Sequence, residues 1–244
     1  MQNKVEIKNI SVKYGNEKIL TNISFDILSN KPICVIGQGS SGKTTLLKTI
    51  VGLIRPSNGK VLFKLKNNLK QISNDNEISE KLGVVFQKDA LFDSLTVWEN
   101  VMFKSLYKCK KIINFNKSIK LLKLVGLGED VVNLYPNELS GGMKKRVAIA
   151  RAVAFNPHFL FLDEPTAGLD PVKSNKIFEI IRNLSEQKSV SVFAVSSDIK
   201  GVVKNFKEVI FLKDKKIAWK GNAKNLKSSG NKNLDDFISK SNLF

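Results

Sequence analysis

Residues 32–50, PICVIGQGSSGKTTLLKTI, decide the fold of this chain. The opening run PICVI is almost purely apolar, as in a strand that is covered on both faces. Residues 37–44, GQGSSGKT, fit the pattern G-x-x-x-x-G-K-[ST], and a helical pattern follows directly. In this strand–loop–helix context the backbone amides and the helix N-terminus bind phosphate groups. The stretch therefore predicts a phosphate-binding loop in an α/β domain.

Strands and helices alternate on both sides of that loop. Residues 4–30 alternate polar and apolar positions, which predicts antiparallel strands with one buried face. Further strands are predicted in the segments KLGVVFQ, HFLFLDE, SVSVFAVSS and EVIFLKDKKIAW, with a helix at 171–187. Residues 66–80 are polar and predict a surface excursion. This order of elements is typical of a mainly parallel sheet with covered faces.

A helical block interrupts the alternation. Residues 96–155 have a helical pattern with breaks at 126–128 and around Pro136, which predicts an inserted helical subdomain. We therefore predict one domain over the whole chain. Its parts are an antiparallel β part at about 1–30, a core at about 31–95 and 156–221, the helical subdomain at about 96–155, and a polar tail at 222–244 that either folds onto a partner chain or stays loose.

Four residues are predicted to bind and hydrolyse a nucleoside triphosphate. Lys43 pairs with the β- and γ-phosphates, and Thr44 ligates Mg²⁺. The buried strand FLFLDE brings Asp163 to the carboxyl edge of the sheet, where it would hold the same ion directly or through water. Glu164, the next residue, is placed to orient and polarise the attacking water.

Two further residues have weaker signals. Gln87 follows the strand GVVF, where its amide could contact Mg²⁺ and the attacking water; a single Gln is otherwise a surface side chain. Tyr14 could stack on adenine, and its alternative is a half-buried strand aromatic.

The segment LSGGM, residues 139–143, completes a recognisable set. Together with GQGSSGKT, Gln87, FLFLDEP and AGLD at 167–170, in this order, it resembles the nucleotide-binding subunit of an ABC transporter over essentially the whole chain. The resemblance implies a P-loop NTPase (RecA-like) α/β core with an antiparallel β subdomain and an inserted α-helical subdomain. It also implies ATP and Mg²⁺ as ligands, and a permease in the membrane as partner.

The resemblance also implies a head-to-tail homodimer with two composite ATP sites. Ser140, Gly141 and Gly142 of one chain would face the γ-phosphate held by the other chain, and Asp170 would connect the two halves. The implied nucleotide-binding set of this chain is Tyr14, Gly37, Gly39, Ser40, Ser41, Gly42, Lys43, Thr44, Thr45, Ser140, Gly141, Gly142 and Asp170.

A narrower resemblance concerns the transported molecule. Residues 86–103, FQKDALFDSLTVWENVMF, and 135–152, YPNELSGGMKKRVAIARA, are similar to ATPases of Mla-type systems, which move phospholipid or related lipids between bacterial membranes. This similarity implies a lipid-binding partner protein besides the permease. The alternative within transport is the export or import of another solute or a drug. In the family, the region holding Leu91, Phe92, Leu95, Trp98 and Phe103 forms the groove for a coupling helix of the permease; the alternative is aromatic packing within the helical subdomain.

The chain departs from the family at one position. After the strand SVFAV the family places a histidine that contacts the γ-phosphate, and here Ser197 takes that place. The only histidine, His158, precedes the strand FLFLDE and is predicted to be a loop residue. Two explanations compete: slow hydrolysis that depends on Glu164, or ATP-driven closure with little turnover, as in a regulatory module.

The composition of the chain limits the other functional classes to which it could belong. The 40 Lys+Arg against 22 Asp+Glu give a net charge of +18, which would suit nucleic acid, an anionic membrane face or a phosphorylated ligand. The lysines are scattered, so we expect surface charge and no specific nucleic acid; the alternative is a soluble ABC ATPase of nucleic-acid maintenance or translation. The two cysteines are far apart, and no apolar run could span a bilayer. We expect a cytoplasmic protein, peripheral on the inner face of the cell membrane.

Overall fold

The computed structural model of the protein describes residues 3–29, 31–65, 68–71, 76–109, 115–187 and 190–240. Within these residues the chain forms two sheets with helices packed around them. The predicted α/β class, with an antiparallel β part and an inserted helical part, is confirmed.

The larger sheet carries the phosphate-binding loop. Its strands are β3 (Ile33–Ile36), β6 (Leu82–Val85), β7 (Phe159–Asp163), β8 (Ser191–Val195), β9 (Glu208–Lys213) and β10 (Lys216–Asn222), in the order β10-β9-β3-β8-β7-β6. All pairings are parallel except that of β9 with β10. Every residue of β3, β7 and β8 is buried, because both faces of the sheet are covered.

The smaller sheet is antiparallel and has the order β2-β1-β4-β5. Its strands are β1 (Lys4–Tyr14), β2 (Glu17–Leu28), β4 (Asn58–Leu65) and β5 (Asn68–Gln71). Two predictions need correction here. The sheet extends beyond the predicted β part at 1–30, because β4 pairs with β1 and β5 pairs with β4. The predicted surface excursion at 66–80 contains β5 and the helix α2 (Asn76–Glu80), whose Ile78 is fully buried; residues 66–67 and 72–75 lie outside the described residues.

The parallel sheet separates two hydrophobic cores. Phe161 packs into the core shared with the antiparallel sheet, where its neighbour Phe159 stacks edge-on against Phe63 at 5.3 Å between ring centroids. Leu162, the next residue on β7, faces the helices instead. Helix α1 (Lys43–Ile50) lies on the first side, and α6 (Pro171–Gln187) and α7 (Ile199–Asn205) lie on the second.

The helical subdomain consists of α3 (Val97–Lys104), a π-helical turn (Ser105–Cys109), α4 (Phe115–Leu124), a 3₁₀ turn (Pro136–Glu138) and α5 (Gly141–Val153). Helix α3 begins with a capping box, in which Thr96 and Glu99 satisfy each other's free backbone donors. Helices α3 and α4 pack on α5, and the apolar side of α5 joins the core beneath the parallel sheet.

The tail folds onto its own chain. A 3₁₀ segment (Ala223–Ser228) leads to α8 (Lys232–Lys240), and residues 241–244 lie outside the described residues. Leu234 and Ile238, four residues apart, are buried on one side of α8, and Phe237 stacks on Phe211 of β9 at 5.1 Å. The described part of the tail is therefore ordered by packing within its own chain.

Candidate functional site

The phosphate-binding loop joins β3 to α1 and needs glycine at two points. A Cβ on Gly37 would lie 2.5 Å from the carbonyl oxygen of Leu212 and 2.8 Å from Ser41 Oγ, so only glycine fits. Gly42 has φ +97°, which is costly for any residue with a Cβ. Ser40 has φ +60° without being glycine. The hydroxyl of Ser41 is buried beneath the loop, with no hydrogen-bond partner among the described residues.

Lys43 lies inside this loop. Its Nζ donates hydrogen bonds to the carbonyl oxygens of Gly37 at 2.9 Å and Gln38 at 3.0 Å, and it lies 4.0 Å from Glu164 Oε1. Burial lowers the pKa of Lys43, while the nearby Glu164 acts in the opposite direction. The ammonium group thus faces the loop interior, where phosphate oxygens can replace its carbonyl acceptors.

Two oxygen atoms meet where β7 ends and α1 begins. Thr44 Oγ1 donates a 2.9 Å hydrogen bond to Asp163 Oδ1, and Asp163 is only 2% exposed. Burial raises the pKa of the Asp163 carboxyl group, and the bond from Thr44 opposes that shift. A hydroxyl and a carboxylate at this distance are ligands that Mg²⁺ prefers, so the pair fits the ion that the sequence predicts here.

Glu164 is held in a strained conformation beside this pair. Its backbone has φ +47°, and its N–H donates to the carbonyl oxygen of Val195 on the neighbouring strand. Its carboxylate Oε2 accepts two hydrogen bonds of 2.9 Å, one from the backbone N–H of Ser197 and one from its hydroxyl. Ser197 therefore contacts the predicted catalytic carboxylate directly, a contact that sequence reasoning missed.

An open cavity of about 420 Å³ brings the other predicted residues together. Tyr14 lies in its wall and is 51% exposed, so its ring is available for stacking. Gln87 is exposed and lines the same cavity, as does Glu164. The predicted residues that line the cavity are Tyr14, Gly39, Ser40, Ser41, Gly42, Lys43, Thr44, Thr45, Gln87 and Glu164.

The residues predicted to act at the partner's site, Ser140, Gly141, Gly142 and Asp170, do not line this cavity in the part of the chain that the structure describes. Ser140 caps α5, with its Oγ accepting a 3.3 Å hydrogen bond from the N–H of Met143. Gly141 is exposed, whereas Gly142 is buried, and a Cβ there would approach Lys173 Cδ to 3.3 Å. The carboxylate of Asp170 accepts a hydrogen bond from the backbone N–H of Lys173 and pairs with the ammonium group of the same residue. The bond from the Lys173 side chain lowers the pKa of Asp170.

Sequence reasoning also missed a buried polar cluster behind Gln87. Lys145 and Arg151, both on α5, bond the segment at Gln87, Asp89 and Ala90. The lysine content of α5 gave no sign of this, because Lys144, Lys145 and Arg146 stand in a row and only Lys145 is buried. A polar residue at a buried helical position is the only signal that the sequence contains.

Among the described residues there is no cluster of three or more His, Cys, Asp or Glu side chains that could hold a metal ion. None of the described helices has the length and apolar character needed to cross a membrane. His158 lies in the loop before β7, as predicted. Cys34 is a buried free thiol, and the side chain of Cys109 lies outside the described part of the structure.

The ABC transporter family matches residues 20–167, which include the phosphate-binding loop, the segment LSGGM and the strand that ends in Asp163. The chain belongs to this family, and it is an ATPase that uses ATP and Mg²⁺. The predicted family and cofactors are confirmed.

Two relatives that match nearly the whole chain are named for different transported molecules. The chain is 32% identical over 240 residues to the intermembrane phospholipid transport system ATP-binding protein MlaF of Haemophilus influenzae, covering 97% of this chain and 90% of the relative. It is also 34% identical over 239 residues to the arginine transport ATP-binding protein ArtM of Bacillus subtilis, covering 97% of this chain and 99% of that relative. The predicted similarity to Mla-type ATPases is confirmed, and relatives named for other solutes reach the same identity.

A solved structure gives the same result for the fold. The ATP-binding cassette MJ0796, in a dimeric post-hydrolysis state with bound ADP and Pi, superposes with a TM-score of 0.79 at 31% identity. The match covers 90% of this chain and 99% of that chain.

Proposed function

We propose that this ATPase energises phospholipid transport across or between bacterial membranes. In this role it is the nucleotide-binding subunit of a transporter, and it is peripheral on the cytoplasmic face of the inner membrane. The observation that carries the hydrolytic part is one group of four side chains. Lys43, Thr44 and Glu164 line one cavity, and Asp163 accepts a hydrogen bond from Thr44 behind it.

Hydrolysis is assigned to Glu164 acting with the phosphate-binding loop. The carboxylate of Glu164 lies 4.0 Å from Lys43 Nζ and is fixed by the two bonds from Ser197. A carboxylate fixed in this way orients and polarises the attacking water, while Lys43 pairs with the β- and γ-phosphates. Thr44 and Asp163 would hold Mg²⁺, which when bound would supply positive charge to neutralise the phosphate oxygens.

The remaining residues of the cavity bind the nucleotide and complete the metal site. Tyr14 stacks on the adenine ring, and Gln87 contributes its amide oxygen to the ion and the attacking water. The loop backbone donates to the phosphates in the usual way of a glycine-rich loop at a helix N-terminus. The loop residues assigned to this role are Gly37, Gly39, Ser40, Ser41, Gly42, Lys43, Thr44 and Thr45.

A second copy of the chain completes each site. Ser140, Gly141 and Gly142 begin α5 with free backbone donors, which suit an anionic group. Since these residues do not line the cavity of their own chain, we assign them to the γ-phosphate of the nucleotide bound by the partner copy. Asp170 lies between the two halves in this arrangement. ATP closes the dimer, and hydrolysis reopens it.

We assign the contact with the membrane partner to an apolar surface that follows Gln87 in the chain. This surface is made of Leu91, Phe92, Leu95, Trp98 and Phe103. Phe92 is 42% exposed and stacks on Phe103 at 4.2 Å between centroids. Trp98 packs on Phe115 at 5.6 Å, so part of this set is internal packing of the helical subdomain. The exposed Phe92 end is the part that receives a helix of the permease.

Phospholipid as the substrate rests on similarity to MlaF over nearly the whole chain, together with the segments 86–103 and 135–152. A lipid-binding protein is the expected third component, because a lipid must be shielded from water on its way between membranes. The arginine transport relative ArtM favours a second candidate, the transport of a small solute.

The test reconstitutes the chain with its co-purifying permease in liposomes that contain a labelled phospholipid. We expect ATP-dependent movement of the label with the wild-type chain and none with Glu164→Gln, which keeps the shape of the side chain but cannot act as a base. Movement of labelled arginine in place of lipid would support the second candidate. Tight binding of nonspecific DNA that persists at physiological salt would contradict both, whereas weak binding with a steep salt dependence reflects surface charge only.

A further inference from the structure

The segment that follows β6 adopts a costly backbone conformation. Asp89 has φ +58° and Ala90 has φ +49°, although neither residue is glycine. Two consecutive residues with a Cβ in the left-handed region persist only where their surroundings fix them. The cause lies in helix α5, which packs behind the segment.

Helix α5 makes four polar contacts with this segment through two cations, the buried Lys145 and the partly buried Arg151. Lys145 is 5% exposed, and its Nζ donates to the carbonyl oxygen of Gln87 at 3.0 Å and to Asp89 Oδ1 at 3.1 Å. Arg151 donates to the carbonyl oxygens of Ala90 at 2.7 Å and of Asp89 at 2.8 Å. We call these contacts the α5 clamp.

The buried lysine of the α5 clamp needs the charge partner and the acceptors that this segment provides. A lysine this deeply buried is costly unless its charge is paired and its donors are used, and both conditions are met by Asp89 and Gln87. The guanidinium of Arg151 also covers the ring of Phe92, at 5.9 Å from its centroid.

We propose that Lys145 is a positioning residue for Gln87, acting with Arg151 to hold residues 87–90 in register with α5. Ser140 begins the same helix, and Lys145 lies five residues further along, about 7.5 Å at the rise of an α-helix. A displacement of the Ser140 end therefore carries Gln87 and Phe92 with it. This inference rests on the proposed function, which assigns Gln87 to the metal and water and the Ser140 end to the partner's nucleotide.

Hydrogen exchange tests the clamp without any need for turnover. The amides of Asp89, Phe92 and Leu95 are hydrogen-bonded, so they exchange slowly while the segment is held. In the nucleotide-free full chain, Lys145→Met should speed exchange over 86–95 at least about 10-fold. The matched control Lys123→Met breaks an exposed ion pair with Glu129 in the same subdomain and should leave this segment unchanged. Unchanged exchange in Lys145→Met would overturn the clamp.

Kinetics test the positioning role. We expect Lys145→Met to lower kcat roughly 10- to 100-fold with little change in KM for ATP, and Lys145→Arg to restore part of the rate. In a Gln87→Ala background, Lys145→Met should cause little further loss, because both changes act through Gln87. A full additional loss in that background, or a loss confined to KM, would overturn the positioning role.

Two controls separate the possible failures. Asp89→Asn keeps the shape of the residue and removes its charge, so it reports on the ion pair if Lys145→Met does not fold. A wild-type chain that does not hydrolyse ATP would contradict the proposed function and with it the role of Lys145 in turnover. The exchange measurement would still decide whether the clamp exists.

Discussion

Glu164 and Ser197 meet because β7 and β8 are neighbours in the parallel sheet. Asp163 pairs with Val195 in the strand register, so the residues that follow both strands emerge at the same edge. The apolar run of β7 predicted the role of Glu164, whereas the family resemblance pointed to Ser197. The sequence could not predict the contact between them, because the order of strands in the sheet is not written in the local pattern. The family resemblance assigned Ser197 to the γ-phosphate, whereas its hydroxyl bonds Glu164 here.

Replacing Ser197 tests whether this position limits turnover. Ser197→His restores the residue type that the family places here and should raise kcat roughly 10- to 100-fold, since a hydrogen bond to a charged group contributes about 1.5–3 kcal/mol and each 1.4 kcal/mol is about tenfold in rate. The backbone N–H of residue 197 still holds Glu164 in this variant. Steady-state ATP hydrolysis is the measurement. An unchanged kcat would mean that residue 197 does not limit the rate.

Thr44→Val tests the assigned metal site. Valine has the shape of threonine but lacks the hydroxyl that bonds Asp163, so the Mg²⁺ concentration for half-maximal hydrolysis should rise about 10-fold or more. Thr49→Val is the matched control, because Thr49 lies on the same helix and its hydroxyl donates to the carbonyl oxygen of Thr45. Equal shifts of the Mg²⁺ dependence in both variants would contradict the assignment of Thr44.

At the scale of elements, apolar runs and alternating patterns predicted the strands of both sheets except β5. Strand β5 lies at the edge of its sheet, where one partner strand satisfies it and a polar sequence is tolerated. The tail was ambiguous for a different reason. Only Leu234, Phe237 and Ile238 make the apolar side of α8, and a stripe this short does not reveal which surface covers it.

Leu234→Ala tests the packing of α8. Leu234 is fully buried, so its truncation should lower the free energy of unfolding by about 2–5 kcal/mol. Asp236→Ala, at an exposed position of the same helix, should change it by less than about 0.5 kcal/mol. Denaturant unfolding of the full chain is the measurement. A loss below about 1 kcal/mol for Leu234→Ala would mean that α8 contributes little to the fold.

Strand β1 gives a prediction about pH. Bonds from Lys4 and Lys8 lower the pKa of Glu6 from 4.5 to about 2. A carboxylate with a lowered pKa stabilises the fold above its ordinary pKa, and this contribution is lost as pH falls through the folded value. Glu6→Gln should therefore be less stable than wild type at pH 7, and the difference should shrink between about pH 4.5 and 2. A difference that stays constant from pH 7 to pH 3 would contradict this account.

At the scale of the whole molecule, one chain carries two incomplete halves of the proposed machinery. The cavity beside the phosphate-binding loop is lined by Glu164, the proposed catalytic residue, whereas the residues that begin α5 do not line that cavity. The proposal that two copies share a nucleotide came from the resemblance alone, because no local pattern within a single chain could predict it. The α5 clamp joins the two halves, because the same helix holds the segment of Gln87.

The most direct test of the account is ATP hydrolysis by the chain assembled with its own membrane partner, with Glu164→Gln as the blank. We predict a wild-type rate at least about 100-fold above the blank, because positioned acid–base groups contribute about that much. Phospholipid should raise the rate further. A wild-type rate equal to the blank, with ATP still bound, would contradict the account, since closure without turnover would then be the function of the dimer.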